Sequence, residues 1–153
     1  MKKRKLFCEI SPVCYRISLQ KEYLLRDLHD RFSGEKFARE INTLPLPEVV
    51  KSHTSPILRR LEGVDMELQR NKAHNLRLAC AKINGITLRP GETFSFWRLV
   101  GEPGEKQGYR EGLVISAGKL GKGIGGGLCQ LANLIHWLIL NSPLTVTELV
   151  HHS

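Results

Sequence analysis

Residues 123–130 read GIGGGLCQ, and they lead into residues 128–140, an apolar run that contains neither glycine nor proline. Glycine adopts positive φ at little cost and lets other backbone approach closely. Residues 141–143, Asn-Ser-Pro, supply a stop signal at the far end of the run. The stretch therefore predicts a glycine-rich loop followed by a buried helix over 128–140, with Cys129 in its first turn.

Strand patterns surround this helix on both sides. Residues 113–116 are predicted to form a short strand, with Gly118-Lys119 as the hairpin turn after it. Residues 86–88 and the alternating run 93–97 also favour strands. Residues 144–150 are rich in Val and Thr, which favours another strand. Together these runs predict a small, mostly antiparallel sheet.

The N-terminal half has helical periodicity instead. Apolar residues recur at helical spacing over 16–41, with a break at Ser33-Gly34, and again over 65–83. Prolines mark residues 43–47 as a linker. We predict an α+β fold with N-terminal helices, followed by a small mostly antiparallel sheet packed on one central buried helix. The expected division is a basic helical region at 1–69 and a second domain at 70–153.

The charge is concentrated at the N-terminal end. The 153 residues carry a net charge of +8, and residues 1–88 hold 17 Lys and Arg against 10 Asp and Glu. An anionic membrane surface is therefore a candidate partner of the basic N-terminus, while no specific nucleic acid is expected. No run of about 18 apolar residues exists, and residues 6–16 are too polar for a secretory signal. We expect a cytoplasmic protein, or one peripheral to the inner membrane face.

The cysteines are predicted to be free thiols. A reducing compartment disfavours disulfides, and the four cysteines form no C-x-x-C pair that would suggest a zinc ribbon. They are Cys8, Cys14, Cys80 and Cys129. Cys80 falls on the apolar face of the predicted helix 65–83, which indicates a core position.

Cys129 is the strongest candidate for chemistry. A thiol at a helix N-terminus ionises more readily, and the helix amides near Gly127 could hold an oxyanion. His151 and His152 follow about 22 residues later and could supply the base, as in the outline of a papain-like site. We therefore take Cys129, His151 and His152 as candidate catalytic residues. The candidate binding residues are Gly125, Gly126, Gly127 and Gln130.

Three other interpretations of the loop stay open. Gly121, Gly123 and Gly126, with Glu148 further on, fit a dinucleotide fingerprint, but a polar hairpin precedes them instead of a buried strand. Cys129 and His136 share a helix face and could bind zinc together with His151 or His152. In the third interpretation, Cys129 is a buried thiol and the glycines only permit tight packing. We expect neither a metal nor a cofactor.

The motifs resemble those of the VanW family, the accessory proteins of B-type vancomycin resistance clusters. The resemblance rests on residues 84–86, 89–96, 108–109, 123–131 and 151–153. It implies a link to glycopeptide resistance or to the cell envelope. Ala132 and Leu149-Val150 depart from the family pattern, in which Ser and an Arg-His pair are expected. The family domain also continues past its histidine motif, so we expect this chain to be truncated at its C-terminus.

Two functional hypotheses follow. The first is a thiol-dependent amidase or peptidase that acts on cell-wall material. The second is a non-catalytic module that binds a carboxylate or other anion at the glycine-rich loop. In both, the expected partner is a cell-wall precursor or another peptide-like small ligand. Cys129 discriminates between them, because only the enzyme requires a thiolate at this position.

Overall fold

The computed structural model describes residues 11–58, 65–116 and 119–148. Within them the chain forms four α-helices, one short 3-10 helix and four strands, which confirms the predicted α+β class. In chain order these are α1 (Pro12–Phe32), β1 (Lys36–Phe37), α2 (Met66–Ile83), β2 (Glu92–Thr93), α3 (Phe96–Val100), the 3-10 helix (Glu105–Gln107), β3 (Glu111–Ser116), β4 (Lys119–Ile124) and α4 (Leu128–Leu140).

One compact unit contains α1 and the two-stranded parallel sheet of β1 and β2. The Ser11 side chain caps α1 by accepting a hydrogen bond from the Cys14 amide at 3.1 Å, and Pro12 occupies the first helical turn. Gly34 follows the helix with φ +70°, a conformation that favours glycine. The helix predicted beyond Gly34 is absent, because residues 36 and 37 pair with β2 instead.

A second unit comprises the described residues of 38–89 and 94–153, and it is organised around α2. Its core cluster consists of Ala79 on α2, Val100 at the end of α3, and Tyr109. Partly buried side chains from α3, β4 and α4 pack against this cluster. This division into two units does not test the domain boundary predicted between residues 69 and 70, which stays a prediction.

The helix predicted over 128–140 is present as α4 with those bounds, but its predicted burial is wrong. None of its side chains is fully buried. Leu128 and Leu131 reach the core cluster, whereas Trp137 and Leu140 are exposed. The helix is strongly apolar, yet only one of its sides packs on the core. The central buried helix of this unit is therefore α2.

The predicted hairpin is confirmed. Strands β3 and β4 pair antiparallel, with Glu111 opposite Ile124 and Ser116 opposite Lys119. Because β4 continues to Ile124, Gly121 and Gly123 belong to a strand and not to the glycine-rich loop. An antiparallel hairpin in front of the loop also disagrees with the dinucleotide interpretation, which requires a parallel βαβ unit.

Two other predicted strands differ. Residues 93–97 alternate like a strand, but Ser95 caps α3 by accepting a hydrogen bond from the Arg98 amide at 3.4 Å. Residues 144–148 form no strand, and the rest of that predicted strand lies outside the described residues. Residues 86–88 contribute a single bridge between Ile86 and Ile41. Across the described ranges, no helix is both long and apolar enough to span a bilayer.

Candidate functional site

The glycine-rich loop is a tight turn between β4 and α4. Gly125 and Gly127 have φ of +79° and +103°, values at which a side chain would be strained. The Gly125 amide donates to the Arg110 carbonyl at 3.1 Å, and the Gly126 amide donates to the Gly123 carbonyl at 3.3 Å. The loop is therefore held to its own hairpin and to the residue that precedes β3.

Asn75, on the buried side of α2, holds this loop through three side-chain hydrogen bonds, which we call the Asn75 clamp. Its side chain is fully buried, and its Nδ2 donates to the Arg110 carbonyl at 2.9 Å and to the Gly126 carbonyl at 3.0 Å. Its Oδ1 accepts from the Arg110 amide at 2.8 Å. One amide side chain thus pairs with three backbone groups, of which the Gly126 carbonyl is buried. No sequence pattern predicts this role of Asn75, because its partners lie 35 and 51 residues away.

Protein atoms from the same chain already fill the space beside each loop glycine. A Cβ on Gly126 would lie 2.5 Å from the Gly112 Cα, and one on Gly125 would lie 2.5 Å from the Pro103 Cβ. A Cβ on Gly127 would collide with the aliphatic stem of Lys72. Close packing accounts for all three glycines. Their predicted role in ligand binding stays a prediction.

Cys129 is exposed in the first turn of α4. This disagrees with the interpretation of Cys129 as a buried thiol. The Leu128 amide donates to the Gly125 carbonyl at 3.4 Å, and the Gln130 amide donates to the Gly127 carbonyl at 3.0 Å. For the amides of Gly127 and Cys129, we find no acceptor among the described residues. Such unpaired donors are typical of a helix start and can hold an anionic oxygen.

The candidate bases cannot be placed beside Cys129, since His151 and His152 lie outside the described residues. His136 is on α4 seven residues after Cys129, which separates the two by roughly 10 Å along the axis. That distance is too long for a hydrogen bond. In the part of the chain that the structure describes, no three His, Cys, Asp or Glu residues are grouped so that they could hold a metal ion.

Gln130 holds an upstream segment against α4. Its Nε2 donates to the Ser55 Oγ at 3.0 Å and to the Pro56 carbonyl at 3.2 Å. Two helical turns further along α4, the centroid of the Trp137 ring lies 4.3 Å from the centroid of the His53 ring. We call residues 51–56 the strap, because these contacts lay them along α4. Gln130 is one of the predicted binding residues, and its side-chain amide has two partners within the chain; its role in ligand binding stays a prediction.

Burial changes the acidity of two groups near the core. Desolvation raises the pKa of the Cys80 thiol above its ordinary value. The predicted core position of Cys80 is wrong, because its side chain is only half-buried and lies outside the core cluster. Desolvation also raises the pKa of Tyr109, whose ring lies in the core cluster. Its hydroxyl is buried and has no hydrogen-bond partner in the described part of the chain. Neither group therefore favours its charged form.

Comparison with known protein families identifies the family of this chain. The model of the family described as VanW like protein matches residues 71–153, more than half of the chain. The chain belongs to the VanW family. The matched range takes in most of α2, the hairpin, the glycine-rich loop and Cys129. The Asn75 clamp is therefore part of the VanW region.

Two relatives support this assignment. The VanW-family chain is 40% identical over 122 residues to the vancomycin B-type resistance protein VanW of Enterococcus faecalis (strain ATCC 700802 / V583), covering 80% of this chain and 44% of the relative. It is 30% identical over 84 residues to the uncharacterized protein YoaR of Bacillus subtilis (strain 168), covering 55% and 28%. The chain thus spans less than half the length of these curated relatives. No solved structure matches it.

Proposed function

We propose that Cys129 is the nucleophile of a thiol-dependent site that cleaves an amide or peptide bond in cell-envelope material, with His151 or His152 as the base. The observation that carries the proposal is the exposure of Cys129 in the first turn of α4, directly after a rigidly held loop. Free cysteine is among the most buried residue types, so an exposed thiol at a helix start calls for a chemical explanation. The name of the enterococcal relative supports a connection to vancomycin resistance.

The loop geometry favours this enzyme over an anion-binding module. The sides of Gly125, Gly126 and Gly127 are covered by protein atoms, so the glycines form no open cradle there. The amides of Gly127 and Cys129 have no acceptor among the described residues. They would be available to a developing oxyanion beside the thiol.

The reaction would have two steps. The Cys129 thiolate attacks the amide carbonyl carbon, and the carbonyl electron pair moves to the oxygen that the helix amides stabilise. The intermediate collapses, the C–N bond breaks, and the imidazolium gives its proton to the departing amine. The imidazole then takes a proton from water, which attacks the thioester and releases the acid and the Cys129 thiol. The expected substrate is the peptide part of a cell-wall precursor or a similar small peptide-like molecule, met on the cytoplasmic side.

Alkylation of single-cysteine variants tests the nucleophile. One variant retains only Cys129, and a matched variant retains only Cys14, which also lies in the first turn of a helix. Each rate is divided by the rate of the same variant unfolded in urea. Exposure alone gives a ratio of at most about one, whereas an activated thiolate gives about ten or more below neutral pH. We expect activation at Cys129 and not at Cys14.

The histidines supply the second arm of the experiment. His151→Gln combined with His152→Gln should return the Cys129 ratio to about one, because the base is then missing. A ratio of one or less in the unaltered background would exclude a catalytic thiol. Intact-mass measurement after incubation with soluble peptidoglycan peptides should detect an acyl adduct on Cys129. An activated thiol that forms no adduct would leave the nucleophile in place and overturn the substrate class.

A further inference from the structure

Helix α1 exposes its apolar side and buries the carboxylate of a charged pair. Five large apolar side chains on one face of the helix are between 42% and 81% exposed: Val13, Ile17, Leu24, Leu28 and Phe32. Their spacings of 4, 7, 4 and 4 residues place them along one line. We call this line the α1 stripe. On the opposite side, Asp30 is buried and its Oδ1 lies 3.2 Å from the Arg26 Nε. This is the reverse of an ordinary surface helix.

The charges within the stripe are basic. Lys21 lies between Ile17 and Leu24, and Arg31 lies three residues after Leu28, so both project from the apolar side. Lys21 is 3.2 Å from Glu22, an exposed pair that contributes little. Asp27 stands at the edge of the stripe. Residues 2–5, Lys-Lys-Arg-Lys, precede the helix in the sequence and add four positive charges.

We propose that the α1 stripe docks on an anionic membrane surface. An exposed apolar line flanked by Lys and Arg is the pattern of a helix that lies in the membrane interface. Its leucines and Phe32 would enter the boundary between headgroups and acyl chains, while Lys21 and Arg31 would remain at the level of the phosphates. The helix of 21 residues is roughly 30 Å long, enough to spread these contacts over several lipids. A surface that only had to stay soluble would not combine these features.

Vesicle co-sedimentation of the whole chain tests the proposal. Vesicles of phosphatidylcholine alone are compared with vesicles that also contain phosphatidylglycerol. We expect binding to the anionic vesicles and much weaker binding to the neutral ones, with release at high salt. Ile17→Ser with Leu24→Ser should lower the partition coefficient at least about tenfold, because two apolar anchors are removed. Leu44→Ser with Val49→Ser, at two even more exposed apolar positions outside α1, is the matched control and should bind normally.

A second pair of variants tests the charges. Lys21→Gln with Arg31→Gln should weaken binding to anionic vesicles by roughly fivefold per charge. Arg39→Gln with Arg70→Gln removes the same charge at two positions outside α1 and should have a smaller effect. The proposal fails if both apolar double variants bind alike. It also fails if Ile17→Ser with Leu24→Ser dissociates an oligomer or lowers the free energy of unfolding, since the stripe would then cover another copy or another part of the same protein.

Discussion

At the scale of single residues, the candidate site depends on a side chain that takes no part in the proposed chemistry. Asn75 contacts Arg110 and Gly126, and so joins a residue before the hairpin to the turn after it. A buried amide whose donors are both used is in a favourable state, whereas its removal leaves backbone groups without partners. The position of Cys129 therefore depends on a helix more than fifty residues earlier in the sequence.

Asn75→Ala should lower the free energy of unfolding by about 2–4 kcal/mol, because the buried Gly126 carbonyl and the partly buried Arg110 amide lose their partner. Asn71→Ala is the matched control. Asn71 lies one turn earlier on α2, and its Nδ2 donates to the Glu111 carbonyl at 3.0 Å where solvent can replace it. Its loss should cost about 1 kcal/mol or less. Urea unfolding measures both, and equal effects would contradict the role given to Asn75.

Tyr109 should make the protein sensitive to alkali. Burial raises the pKa of the folded phenol above the unfolded value of about 10. Above that value the unfolded chain releases a proton that the folded chain keeps, so stability falls as the pH rises through this range. Tyr109→Phe should remove that loss, measured as the free energy of unfolding at neutral and at alkaline pH.

The same variant tests the buried hydroxyl. Since the Tyr109 oxygen has no hydrogen-bond partner in the described ranges, its replacement should change stability at neutral pH by only about 0.5 kcal/mol or less. A loss of about 2 kcal/mol would instead mean that the hydroxyl has a partner beyond those ranges.

At the scale of elements, prediction from sequence succeeded where local signals were strong. The bounds of α4 follow from glycines before it and Asn141, Ser142 and Pro143 after it, and Asp65 and Asn84 flank α2 in the same way. The strand predicted over 93–97 failed, because five alternating residues also suit a short helix once Ser95 caps it. The prediction that α4 is buried was wrong for a different reason. Composition shows that a helix is apolar, but how many other elements cover that helix depends on the whole fold.

The strap gives a prediction about α4. Gln130→Ala removes both hydrogen bonds to residues 55 and 56, so tryptic cleavage after Lys51 should accelerate while cleavage within α2 stays unchanged. Asn133→Ala, an exposed change on the same helix, is the control and should leave the strap protected. Unchanged cleavage in the Gln130 variant would make that side chain a candidate ligand contact again.

At the scale of the molecule, the core of the VanW region lies in one of the two contact units. Ala79, Val100, Tyr109 and the Asn75 clamp all belong to the unit of residues 38–89 and 94–153. Sequence patterns predicted its helices α2 and α4, but neither α3 nor the three-way contact of α2, α3 and the residues before β3. That contact joins positions distant in sequence, which no local pattern encodes.

Deletion of residues 1–37 should therefore leave a protein that unfolds in one cooperative urea transition. The expected change is the loss of the strand partner of Glu92 and Thr93, with a denaturant slope reduced in proportion to the surface removed. The undeleted chain is the reference. A broad, non-cooperative transition would mean that the second unit requires α1 in order to fold.

The contact between Gly112 and Gly126 carries a consequence for how this region can evolve. Here backbone meets backbone, so neither position has a side chain that could shrink to accommodate growth at the other. A core made of side chains tolerates paired exchanges in which one residue enlarges as its neighbour contracts. Both residues of this contact are already glycine, the smallest residue. Neutral substitution is therefore blocked at both positions at once. A lineage can replace these glycines only if it also gives up the turn that presents Cys129.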